Sequence, residues 1–293
     1  MMVTNSVCRR SALGKHPNRA NWRTSALALL FATAVPANSA PIPADIPAQS
    51  IVRATPALWE IRDADTTIYL FGTFHTLDDR TVWFDQRVRE AFDTSAELVL
   101  ETVVPSSKQE ISAAAEGQLR EAPARPGREA RLKPFIAQTQ AVVSEGRSIG
   151  LSVENGADAV LRRVAEDVGK PVGGLELFEE QLRALSRIPS PPPAAIRAAS
   201  TSAATVTLND LLAAWTSGDT RAFSTMLAGF EANSPVAYRM LISDRNARWG
   251  QWIANRLDQP GTVFVAVGSG HLAGKDSVQH WLAARGIDAV RVG

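Results

Sequence analysis

One small pattern occurs twice in the chain: an apolar run with strand character that ends in Gly-x-x-His. The first copy is Ile68-Tyr-Leu-Phe-Gly72-Thr-Phe-His75, and the second is Val263-Phe-Val-Ala-Val-Gly268-Ser-Gly-His271. β-Branched and aromatic residues favour a pleated surface. A glycine closing such a run predicts a sharp turn that carries the histidine onto the loop beyond. The pattern therefore calls for a fold in which two strands each deliver an imidazole, the commonest metal ligand and the usual proton shuttle near neutral pH. Of the four histidines, His16 lies in a leader segment and His280, beside Trp281, has no partner pattern and reads as structural.

Residues 1–40 read as a signal peptide. Arg9, Arg10, Lys15, Arg19 and Arg23 stand without an acid, the apolar run Ala26 to Val35 follows, and small residues close it at Ala37-Asn-Ser39-Ala40. That run is shorter than the roughly 20 residues a permanent membrane span requires. A periplasmic or secreted protein with no permanent span is expected. Removing the leader's five positive charges from the full chain's +1 leaves −4. A mildly acidic chain without a basic stripe is a poor nucleic-acid binder, so no nucleic-acid partner is expected. The only cysteine, Cys8, leaves with the leader.

Residues 41–55, rich in Pro and Ala, read as a flexible linker, and residues 56–293 as a single domain. Within it, Ala57 to Arg62 and Thr67 to Phe71 flank the polar turn Asp63-Ala-Asp-Thr66, a hairpin signal. Helical spacing over Phe84 to Phe92 and the buried strand Leu98-Val-Leu100 then suggest a βαβ unit with parallel pairing. From about 106 to 229 the chain becomes Ala-rich and mostly helical, with breaks at Ala122 to Pro134 and Ile188 to Pro193. This stretch also contains a helix from Asp158 to Val168 and a short strand ending at Glu176. A long helix, Ala237 to Leu257, precedes the second Gly-x-x-His strand. A helix from about Ser277 and a short strand, Ala289 to Val292, close the chain. The expected fold class is α/β: a mixed, mainly parallel sheet core with a large helical insertion.

His75, Glu101, Glu176 and His271 all stand at strand exits, and open parallel sheets bind ligands outside the carboxyl ends of their strands. Two imidazoles and one or two carboxylates suit zinc, manganese or cobalt, which would activate water for hydrolysis. The plain readings stand beside this one: a hydrogen-bonded structural histidine, and a glutamate that caps a helix or pairs with an arginine. Arg245 and Asn246 fall mid-helix, with Leu241, Trp249, Trp252 and Ile253 read as the opposite face. Arg245 then either faces solvent or aims a guanidinium at a substrate carboxylate or oxyanion. No Gly-x-Ser-x-Gly elbow, His-Glu-x-x-His helix or Gly-x-x-x-x-Gly-Lys-[Ser/Thr] loop is present.

Taken together, Leu58-Trp-Glu-Ile, Tyr69 to His75, Leu98-Val-Leu-Glu101, Lys170-Pro-Val-Gly-Gly-Leu-Glu176 with Glu180-Gln181, Arg245-Asn246, and Val265 to Gly274 resemble the TraB/GumN family. That family is related to the Tiki metalloproteases and is similar in fold to erythromycin esterase-like and ChaN-like proteins. The resemblance implies a metal-dependent hydrolase; it does not decide the substrate, and peptides or proteins are the substrates expected here. Its divalent ion (zinc, manganese or cobalt) would be held by His75, His271 and Glu101. Glu101 and Glu176 would serve as catalytic carboxylates, and Arg245 would steady the oxyanion or the substrate. The alternative is a non-catalytic peptide- or glycan-binding or accessory protein of the cell envelope.

Overall fold

The computed structural model describes residues 51–105, 107, 109–110, 113–114, 144–188 and 206–292. The segment read as a signal peptide, most of the segment read as a linker and both Pro- and Arg-rich breaks, apart from Ile188, lie outside the described residues. The last linker residues are bonded to the fold: strand β1 (Val52–Arg53) pairs in parallel with β4 (Thr81–Val82).

The main sheet is built from β2 (Leu58–Arg62), β3 (Thr66–Thr73), β5 (Glu97–Thr102), β6 (Val172–Glu176), β7 (Gly261–Gly268) and β8 (Val290–Arg291), in the order β6-β5-β7-β3-β2-β8. The first four strands of that order run parallel, whereas β2 is antiparallel to β3 and to β8. The sheet is thus mixed and mainly parallel, and with its flanking helices it makes an α/β fold. The expected hairpin forms, with Leu58 opposite Phe71 and Arg62 opposite Thr67. The connection from β3 through α1 (Gln86–Thr94) to β5 skips one place, and β7 fills it. The two Gly-x-x-His strands are therefore neighbours, paired from Thr66↔Gly261 to Thr73↔Gly268.

Both faces of the sheet are covered at its central strands β5 and β7, which explains why these read as unbroken apolar runs. Alternate residues serve opposite layers. Phe264 and Ala266 pack with Phe71, Leu98 and Phe92 on the side of α1, α2 (Ala157–Asp167), α4 (Leu208–Thr216) and α5 (Arg221–Asn233). Val263, Val265 and Val267 pack with Trp249, Ile253 and Leu282 on the side of α7 (Asp244–Arg256) and α8 (Val278–Ala283). The segment read as a helical insertion is mostly helical where it is described, and it adds α3 (Phe178–Arg187) after β6. Among its described residues the one strand is β6, an edge of the main sheet. The long helix before β7 is not uniform: α6 (Pro235–Tyr238) passes through a π turn, Arg239–Ser243, before α7.

The motif glycines have a different purpose from the one the sequence suggests. Neither Gly72 nor Gly268 has a positive φ, so neither supplies a left-handed turn. Gly72 is there because the neighbouring motif presses on it, and a Cβ would come within 2.8 Å of Ser269 Oγ. Gly156 makes an even closer approach, at the start of α2. A Cβ there would lie 2.2 Å from the His75 carbonyl oxygen, while Ala157 N–H donates to the Phe74 carbonyl at 2.9 Å. Gly156→Ala is expected to push α2 away from the first motif at a cost of about 1–3 kcal/mol. In a chain of this size the melting temperature should fall about 2–4 °C for each kcal/mol, measurable by calorimetry.

Candidate functional site

Parallel pairing places the carboxyl ends of β6, β5, β7 and β3 along one edge, and these carry Glu176, Glu101, His271 and His75 in that order. The convergence expected from the four strand exits is therefore present. What they converge on is Arg245. This residue is 1% exposed, and all five N–H donors of its guanidinium have acceptors. Nε donates to Glu176 Oε2 at 3.1 Å, Nη2 to Glu176 Oε1 and Glu101 Oε1, and Nη1 to the Leu241 carbonyl at 3.2 Å and to His271 Nε2 at 3.3 Å. The guanidinium also lies over the Trp249 ring, 4.6 Å from its centroid.

Arg245 is thus not on a face opposite Leu241 and Trp249, as the sequence reading had it. The three are spaced by four, which puts them on one helical stripe, and that stripe begins inside the π turn, at Leu241. Asn246 follows it inward. Its amide nitrogen donates to the carbonyls of Asp276 at 2.7 Å and His271 at 3.3 Å, so Oδ1 faces His271 Nδ1 at 2.5 Å. Nδ1 therefore carries the proton, and Nε2 accepts from Arg245. Burial, followed by the nearby charges of Arg245 and His75, holds the His271 pKa well below its ordinary value. The ring is a neutral acceptor packed on Trp249, with centroids 4.3 Å apart.

His75 is shifted the other way. Its Nδ1 lies 2.9 Å from Asp158 Oδ1, in the first turn of α2, and its side chain is 14% exposed. Burial lowers its pKa, but the charge and hydrogen bond of Asp158 and the charge of Glu101 outweigh that, and the net shift is upward. Glu101 accepts from Gln181 Nε2 at 3.4 Å and from Gly268 N–H at 3.3 Å, and its Oε2 lies 3.8 Å from His271 Nε2. Burial raises the Glu176 pKa against the pull of Arg245.

A cavity of about 240 Å³ opens over this edge. His75, Asp158, Glu101, Gln181 and Thr73 line it, together with apolar side chains and Arg162. Arg245, Glu176 and His271 are not among its lining residues; they form a layer behind it. Thr73 Oγ1 is buried there with no hydrogen-bond partner among the described residues.

This donor set does not suit a divalent ion. Among the described residues, no group of three or more His, Cys, Asp and Glu is placed to hold one. Of the expected ligands, His271 Nε2 and Glu101 Oε1 are engaged by the guanidinium. A doubly charged ion about 4 Å from that cation would meet a repulsion of about 8 kcal/mol at an effective dielectric of about 20.

Asp158, Gln181 and Thr73 are site residues that the sequence reading did not assign. Gln181 stood within a quoted motif, and Thr73 is an unspecified position of the first Gly-x-x-His. Asp158 was legible only as the start of a helix, 83 residues from its partner.

Polar groups are thus gathered at the carboxyl ends of the parallel strands of an α/β fold, over a mostly apolar cavity. The model of the TraB/PrgY/gumN family matches residues 57–128 and 106–291, and the chain belongs to that family. Comparison with curated proteins and with solved structures gives no match. No helix among the described residues is long and apolar enough to cross a membrane.

Proposed function

We propose that the protein is an exported hydrolase that cleaves peptide bonds or closely related acyl bonds in the crevice above β3 and β5. The observation that carries this reading is the His75–Asp158 pair at the wall of the cavity beside Glu101. Asp158 fixes Nδ1 and leaves Nε2 on the opposite edge of the ring, the arrangement a general base needs. His75 would take a proton from water as its oxygen attacks the substrate carbonyl, and would return that proton to the departing amine or alkoxide. Thr73 Oγ1, buried and without a hydrogen-bond partner among the described residues, is the donor suited to the developing oxyanion. The apolar lining from Leu100, Val104, Pro105 and Val153 suits a small aliphatic side chain, and Arg162 adds a positive charge to the wall. Export rests on the basic and apolar leader pattern of residues 1–40.

The test is incubation with mixed peptides and carboxylic esters, with products identified by the mass of one added water. Thr73→Val keeps the shape and removes the donor, so its kcat should fall about 10²–10³-fold with KM nearly unchanged. Tight ligand binding with no product from any substrate would instead support the non-catalytic binding protein.

A further inference from the structure

We propose that the Arg245 guanidinium is the resident cation of this crevice, standing where the sequence pattern places a divalent metal, and that hydrolysis there proceeds without one. Only the last clause rests on the hydrolase reading. Glu101, Glu176 and His271, three of the four groups delivered by strand exits, all direct an acceptor at one side chain. That side chain is buried, has an acceptor for every N–H, and is backed by the Trp249 ring. Even His271 is set for this purpose, since Asn246 places the proton on Nδ1 and leaves Nε2 to receive Arg245. An ion held by His271 and Glu101 would have to take acceptors from the guanidinium and then remain beside its positive charge.

The fourth group fits the same scheme. His75 is tied to Asp158, and it stands in the cavity wall with Glu101. Arg245 lies behind that wall, so it is a positioning residue: it holds the Glu101 carboxylate in place and balances its charge without touching substrate.

The experiment loads the full chain, purified without a metal-binding tag, with zinc, manganese or cobalt, and then dialyses it. The wild type is expected to retain no stoichiometric ion and to show no change in melting temperature. Arg245→Met uncovers two carboxylates and an imidazole, and is expected to gain about one ion per chain and to melt higher with the ion than without it. A wild type that holds about one ion per chain, lost in any of Glu101→Gln, Glu176→Gln and His271→Ala, would overturn the proposal. An ion that Glu101→Gln, Glu176→Gln and His271→Ala all retain is not held by this cluster, and the guanidinium assignment stands. If Arg245→Met does not fold, the wild type and these three variants decide the matter alone. Hydrolysis that survives EDTA supports the final clause, and hydrolysis lost to EDTA and restored by one of the three metals overturns it. A wild type with neither ion nor turnover would overturn the hydrolase reading while leaving the guanidinium assignment supported.

Discussion

Replacing Arg245 with methionine is expected to cost about 3–5 kcal/mol of stability, the usual penalty for stranding a buried charge. The methionine fills much of the same volume, so the loss reports the guanidinium and not a void. Two carboxylates are stranded, Glu101 and Glu176, and both are largely buried. Urea unfolding should show a lower midpoint with an unchanged slope. The deficit should also depend on pH, with a definite sign. Burial already raises the Glu176 pKa above its ordinary value, and losing Arg245 removes an opposing, lowering influence. A carboxylate with a raised folded pKa destabilises the fold above that pKa, and the penalty fades as pH falls through it toward the unfolded value. The variant should therefore recover part of its deficit on mild acidification. Adding Glu176→Gln should recover part of it at neutral pH as well, because one stranded charge is gone.

The second large effect is expected at His75. His75→Gln should lower turnover about 10²–10⁴-fold, the contribution of a positioned general base. Its partner gives a sharper signature. Burial lowers the His75 pKa, but Asp158 and Glu101 together more than offset that, so the acidic limb of the rate profile should lie above the ordinary histidine value. Asp158→Asn removes the larger raising influence and leaves burial in place. The limb should then move to lower pH, and an NMR titration of the imidazole should move with it. A limb that stayed put would detach Asp158 from the chemistry.

Much of this architecture was legible in the chain because its signals are local. The strands at Ile68 and Val263 are apolar runs with closing glycines, and Glu101 and Glu176 each close a short run without charged residues, Leu98-Val-Leu and Val172-Gly-Gly-Leu. Parallel pairing then places those exits on one edge. The relations between distant segments were not legible. That β7 separates β3 from β5 depends on competition among strands of similar composition, which no single run records. The Asp158–His75 contact depends on Gly156 letting α2 dock against the first motif. The inward aim of Arg245 follows from its spacing with Leu241 and Trp249, and the π turn before it interrupts the helical count on which sequence reading relies. The pairing of both glutamates with an arginine was one of the plain readings open at the outset. Here it accounts for the centre of the site.

The placement of β7 also governs the order of assembly. This strand lies between β3 and β5 yet is formed from residues 261–268, nearly two hundred positions after the strand whose edge it completes. Until those residues are available, β3 and β5 have no common neighbour and the crevice has no floor. Closing so long a loop is slow compared with local helix formation. A growing or threading chain would therefore carry formed helices and an open sheet for most of its passage, and the sheet and the site would reach completion in the same late step.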